Sequence, residues 1–266
     1  MFLERALPKR LYLVGVVVIF VAVYVQYFVE LGQIVGYLLV YGVPVFVVTL
    51  LFGKELLGRA LKNSKVAFQL GLGLFGAFTA LSVFLSVVAL AVLTRLNPQA
   101  LDLLSKPNPV LDVPPEVAWV MIVVSLVVVG PVEEYLFRGF MYGGLLSMTR
   151  GRHWFVLAVV SSFLFAAVHG YYVVTYEVAS VVPFITIVTF SVAMSVAYYW
   201  SGGNLLVPAL IHGVYDATGF LGVATSSEVG LYARGVLIFV GVVFAGVFLV
   251  RRLVVRSQKL PAGSFG

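Results

Sequence analysis

Six ionisable residues interrupt apolar runs in this chain: Glu133, Glu134, Arg138, His169, His212 and Asp216. An isolated charge at the centre of a bilayer costs roughly 2.5–3.5 kcal/mol on insertion scales, so such residues face a bundle interior or a wet cavity, paired and functional. Carboxylates and imidazoles are the side chains of general acid–base chemistry, of proton relays and of zinc ligation. Spacing narrows what each can do. Glu134 and Arg138 stand four apart, so they share a helix face and can pair. Glu133 is rotated about 100° from Glu134, which lets the pair satisfy Glu134 and leaves Glu133 free to point into a cavity. His212 and Asp216 also stand four apart, on a second helix. Phe165, one turn before His169, places an aromatic wall beside that imidazole.

A structural role is the simpler reading for each residue alone. The Glu134–Arg138 pair can merely neutralise itself, a lone histidine can hydrogen-bond across a helix interface, and Asp216 can do no more than orient His212. Their joint occurrence points further, because buried polar groups on three helices must find one another or stay unsatisfied. His153, beside Arg152 in a loop, is read as interfacial and uninvolved.

The elements that must position these groups are membrane helices. Of 266 residues, 62% are hydrophobic and 11% charged, against about a quarter charged in a soluble domain. Eight apolar runs, at 11–29, 34–53, 66–93, 117–140, 154–173, 182–200, 204–224 and 231–250, are long enough to span about 30 Å of hydrocarbon. The expected fold is all-α: a polytopic bundle of eight transmembrane helices forming one domain over 1–266, with a motif-bearing core at 117–224. The apolar run after Arg5, Lys9 and Arg10 is too long for a signal-peptide core and reads as a retained first helix.

Alternating the loops leaves 13 Lys and Arg on the side of the N-terminus and 3 on the other (Arg95, Lys106 and Arg234), with Arg138 inside the fourth run. That bias puts both termini in the cytoplasm. The net charge of +6 therefore reports topology, and no nucleic-acid partner is expected. The basic loop at 53–65 is expected against anionic headgroups. With no cysteine, thiol nucleophiles and thiolate metal sites are excluded. Depth arithmetic places Glu133 and His212 at similar levels. His169 lies about 22 Å along its helix if that helix starts at Trp154, at 1.5 Å per residue, and matches them only if the first turn stands clear of the membrane.

Taken in order, Glu-Glu-x3-Arg (Glu133, Glu134, Arg138), Phe-x3-His (Phe165, His169) and His-x3-Asp (His212, Asp216), with the lead-in SGGNLLVPALIHGVYD at 201–216, resemble the three motifs of the CAAX-protease and bacteriocin-processing (CPBP) family of intramembrane proteases, which includes the type II CAAX prenyl endopeptidases. The likeness spans about 127–220. It implies an eight-helix bundle in the cell membrane, with a cavity open to the cytoplasm and to lipid. It implies that Glu133 and His169 activate water, that Glu134 and Arg138 hold the helix and orient Glu133, and that His212 and Asp216 sit where the family stabilises the oxyanion. Many members carry Asn where this chain has Asp216; Asn donates a hydrogen bond and an ionised Asp cannot.

The implied activity is endoproteolysis near the C-terminus of a membrane-anchored peptide or protein, with or without a prenyl group, the bilayer being the other partner. No cofactor is favoured; zinc is the alternative, with Glu133, His169 and His212 as ligands. Two other functions fit the same residues: a secondary transporter with a Glu/His proton relay, and a non-catalytic relative acting as a scaffold.

Overall fold

The computed structural model describes residues 8–29, 35–36, 38–57, 61 and 64–257. Both chain ends lie outside these residues, as do Arg59 and Lys62 of the basic loop, so the expected cytoplasmic placement of the termini and the headgroup contact of that loop lie there too. The described residues are helical, with no strand among them. The elements are α1 (Lys9–Phe28), α2 (Val43–Leu57, entered through a π turn at Leu38–Gly42), α3 (Ser64–Leu96), α4 (Ala100–Leu104), α5 (Pro115–Met148), α6 (Trp154–Ala167), α7 (Tyr171–Tyr176), α8 (Val181–Trp200), α9 (Leu206–Ala224) and α10 (Ser227–Ser257).

Six of these are long and apolar enough to cross a membrane, and two apolar segments, Leu38–Gly53 and Trp154–Ala167, are shorter. The chain reads as a multi-pass membrane protein. Its outer surface agrees: Phe46, Leu50, Phe84 and Phe239 are 64–73% exposed, and apolar surface on this scale suits lipid rather than water.

The fifth run is not one helix over 154–173, as its hydropathy predicts; α6 stops at Ala167 and a tight turn carries the chain into α7. At that turn the His169 backbone N–H bonds the Ala166 carbonyl, and the His169 ring bonds the Phe165 carbonyl at 2.8 Å. A side chain that takes the carbonyl an α-helix would use for its ladder offers the backbone another path. His169 thus sits beyond the end of a short helix rather than within a long one, so a depth counted along a continuous helix does not apply.

α5 carries the two adjacent glutamates and is irregular around them. π-helical stretches at Ser125–Val129 and Tyr135–Tyr142 flank a single α turn, Gly130–Glu134. Pro131 has no N–H to give to the preceding turn, so the ladder must rearrange there. Irregular turns of this kind inside helices recur at functional sites.

What brings α5 against α9 is the absence of two side chains. A Cβ on Gly130 would lie 2.6 Å from the Ala209 carbonyl and 2.7 Å from the Gly213 nitrogen, and one on Gly213 would lie 2.6 Å from the Ser125 carbonyl. Glycines at a crossing let membrane helices pack backbone to backbone. Glu133 and Glu134 follow Gly130 by one turn, and His212 adjoins Gly213, so the crossing sets the carboxylates against the imidazole. A second glycine pair, Gly76 and Gly241, joins α3 to α10 in the same way. Gly213→Ala should therefore cost about 1–3 kcal/mol, the usual range for overpacking a filled interface, read as a lowered unfolding temperature in detergent. Wild-type stability in that variant would show that the crossing is looser than its geometry implies.

Candidate functional site

Glu134 is fully buried, and its Oε1 meets two partners. Arg138 Nη1 lies 2.9 Å away, and His212 Nδ1 donates to the same oxygen at 2.8 Å. The first contact is the pairing expected from the spacing. The second joins α5 to α9 across 78 residues of sequence. Arg138 is also completely buried, and its N–H groups do not aim at any acceptor among the described residues. Its guanidinium lies over the Phe165 ring at 4.5 Å and near the Phe190 ring at 6.0 Å, so aromatic faces supply part of the stabilisation that directed hydrogen bonds otherwise would.

Glu133 is not free, as the rotation argument had it. Its Oε1 accepts a hydrogen bond from the Tyr41 hydroxyl at 3.1 Å, and its Oε2 faces His212 Nε2 at 3.7 Å. Asp216 Oδ2 faces the same nitrogen at 3.4 Å. One imidazole therefore stands among three carboxylates, with Glu134 on Nδ1 and Glu133 and Asp216 on Nε2. With Nδ1 donating to Glu134, a neutral His212 turns a lone pair towards two acceptors. That repulsion is relieved only when a proton is held within the triangle of His212, Glu133 and Asp216. The side chains of His212, Glu133 and Asp216 are 6, 13 and 31% exposed, so the cluster opens at Asp216 and closes at Glu134.

His169 approaches from the turn after α6. A backbone carbonyl can only accept, so the bond to Phe165 puts the hydrogen on Nδ1 and leaves Nε2 of the neutral ring as the basic nitrogen. Phe165 is the wall the spacing predicts: its ring centre is 4.8 Å from that of His169 and 5.9 Å from that of His212. The Phe165 ring thus lies between His169 and His212, and no hydrogen bond joins His169 to Glu133. All seven residues singled out in the sequence thus lie in or against one cluster. His153 is exposed at the start of α6, apart from it.

Tyr41 was not anticipated. The signal was present, since a tyrosine hydroxyl inside an apolar run needs a partner, but nothing in its run names which one. Thr49 and Tyr135, bonded at 3.0 Å, brace the same α2–α5 contact.

Zinc was the alternative to a metal-free site. Among the described residues, no group of three His, Asp or Glu is arranged to hold a metal ion. Nδ1 of His212 is engaged by Glu134 and Nδ1 of His169 by a backbone carbonyl, which leaves Nε2 of each ring for other partners. The expected set of Glu133, His169 and His212 is not such a group, and no step is routed through a metal.

No curated protein and no solved structure matches the chain. A family model does: that of type II CAAX prenyl endopeptidase Rce1-like, over residues 115–218. That span begins at α5, ends within α9, and includes every residue of the cluster except Tyr41. Residues 115–218 are thus similar to the type II CAAX prenyl endopeptidase Rce1-like family.

Proposed function

We propose that this protein is an intramembrane endopeptidase that hydrolyses a peptide bond near the C-terminus of a membrane-anchored substrate, the prenylated CAAX-type end being the class to try first. The observation that carries this reading is the gathering of Glu133, Glu134, His212 and Asp216, with His169 beside them, at one partly open point among apolar helices. A multi-pass protein with its termini in the cytoplasm and its site opening towards the cytoplasm belongs to the same proposal.

Glu133 is the general base. Its carboxylate takes a proton from water, and the resulting hydroxide adds to the scissile carbonyl. His212, carrying the proton held between it and the acidic pair, donates from Nε2 to the oxyanion. His169 Nε2, unprotonated at the start, accepts the proton that Glu133 took from the water and delivers it to the leaving amine as the C–N bond breaks, so that the two act as one unit on that water. Positioned acid–base groups supply about 10²–10⁴-fold and one oxyanion donor about 10²–10³-fold. Glu134 and Arg138 do not touch the substrate; they fix the ring of His212 and through it the position of Glu133.

Glu133→Gln should lower peptide cleavage by about 10³-fold or more, in line with removal of a general base, while the unfolding temperature stays within a few degrees of wild type. Full activity in that variant would remove Glu133 from its role. Glu134→Ala should behave in the opposite way, because it leaves Arg138 buried without its counter-charge at a cost of about 3–5 kcal/mol. Its expected signature is loss of folded protein, and a stable, well-folded Glu134→Ala protein would contradict the anchoring role. Cleavage should also survive exhaustive chelation and metal-free dialysis. Loss of activity restored by added zinc would instead establish the metallo-mechanism.

A further inference from the structure

Two tyrosines from the first two helices reach the groups assigned to the water. Tyr24 stands towards the end of α1, and Tyr41 stands in the π turn Leu38–Gly42 that leads into α2. The Tyr41 hydroxyl donates to Glu133 Oε1 at 3.1 Å. The Tyr24 hydroxyl donates to the Ala167 carbonyl at 2.6 Å, at the end of α6, and lies 3.5 Å from where a Cβ on Gly170 would stand. Ala167 and Gly170 bracket the turn that carries His169. Neither tyrosine falls within 115–218, the span similar to the endopeptidase family.

Each hydroxyl removes a freedom that the site's own elements leave open. The terminal torsion of a glutamate is broad and roughly two-fold, so the backbone of α5 does not by itself fix the plane of the Glu133 carboxylate. With Oε1 accepting from Tyr41, Oε2 is the oxygen that faces His212 Nε2, and it is the one to take the proton from water. His169 lies beyond a helix end, where carbonyls lose their ladder partners. The Phe165 carbonyl bonds the His169 ring, and the Ala166 carbonyl bonds the His169 N–H. The next carbonyl, that of Ala167, is the one Tyr24 holds. Three successive carbonyls are thus engaged, two by His169 itself and one by α1, and the orientation of the imidazole follows from the turn they fix. Two other tyrosine hydroxyls fasten the same two helices to α5 without touching either group: Tyr135 pairs with Thr49 of α2, and Tyr12 of α1 donates to the Met141 carbonyl at 2.9 Å.

We infer that Tyr41 and Tyr24 are positioning residues for the hydrolysis: Tyr41 sets the Glu133 carboxylate and Tyr24 sets the turn of His169, so that α1 and α2 complete the site. This rests on the endopeptidase reading above and adds the part of the site that lies outside the family-like segment. Both tyrosines act through the residues they hold and do not touch the substrate.

The experiment measures cleavage of a prenylated CAAX-type peptide by purified wild type, Tyr41→Phe, Tyr24→Phe, Tyr135→Phe and Tyr12→Phe, each shown to be folded. Tyr41→Phe and Tyr24→Phe should each lower kcat by about 10–100-fold, the scale on which small misplacements of reacting groups act. KM should stay that of wild type, since an interaction used only in the transition state is lost. Tyr135→Phe and Tyr12→Phe should keep the wild-type kcat. In the Glu133→Gln background Tyr41→Phe should cause no further loss, and in the His169→Asn background Tyr24→Phe should cause none, because each tyrosine acts through the residue removed. A tyrosine that only fastens helices would lower activity by the same factor in either background, and that result overturns the inference. Losses in Tyr135→Phe and Tyr12→Phe equal to those of Tyr41→Phe and Tyr24→Phe also overturn it, as does full kcat in Tyr41→Phe or Tyr24→Phe. All three results leave the endopeptidase reading standing. Absence of cleavage by wild type overturns that reading and the inference with it. Each variant keeps its ring and loses one oxygen; should one fail to fold, the series on the other tyrosine still decides.

Discussion

The contact on which the rest depends is the buried hydrogen bond from His212 to Glu134, made to the same oxygen that Arg138 approaches. Desolvating an acid and a base costs several kcal/mol per ion, and their attraction repays it only when both stay in place. Removal of either partner strands the other. The pair is therefore weak evidence for stability and stronger evidence for a geometry that must be kept. By holding Nδ1 of His212, Glu134 decides which nitrogen faces the open side. Every other carboxylate of the site is arranged around that second nitrogen.

The two adjacent glutamates thus differ through their surroundings rather than their chemistry. Glu134 points into the contact between α5 and α9, where no solvent reaches it. Glu133, one residue earlier, lies towards Tyr41 and the more open side. The close crossing at Gly130 and Gly213 makes the difference possible, since any Cβ there would push apart the backbones that carry Glu134 and His212. A packing feature without functional groups sets the distances on which the chemistry relies.

Contacts between residues four apart were legible in the sequence. The pairing of Glu134 with Arg138, the facing of His212 and Asp216, and the Phe165 ring beside His169 all follow from a four-residue spacing, and all are found. Contacts between helices were not. Periodicity says which face of a helix is polar but not which helix it meets, so nothing in the sequence paired Tyr41 with Glu133 or His212 with Glu134. The end of α6 was missed for another reason: hydropathy does not register a side chain that captures a backbone carbonyl, and apolar residues resume at Tyr171 directly after the turn.

The central claim is that Glu133 and His169 act as one unit on one water molecule. Residual hydrolysis of a CAAX-type peptide by Glu133→Gln, His169→Asn and the double variant, all shown to be folded, tests it directly. Residues that act together are strongly non-additive, so the double variant should be no slower than the slower single variant. Losses that multiply in the double variant, or hydrolysis that survives both substitutions, would contradict the account.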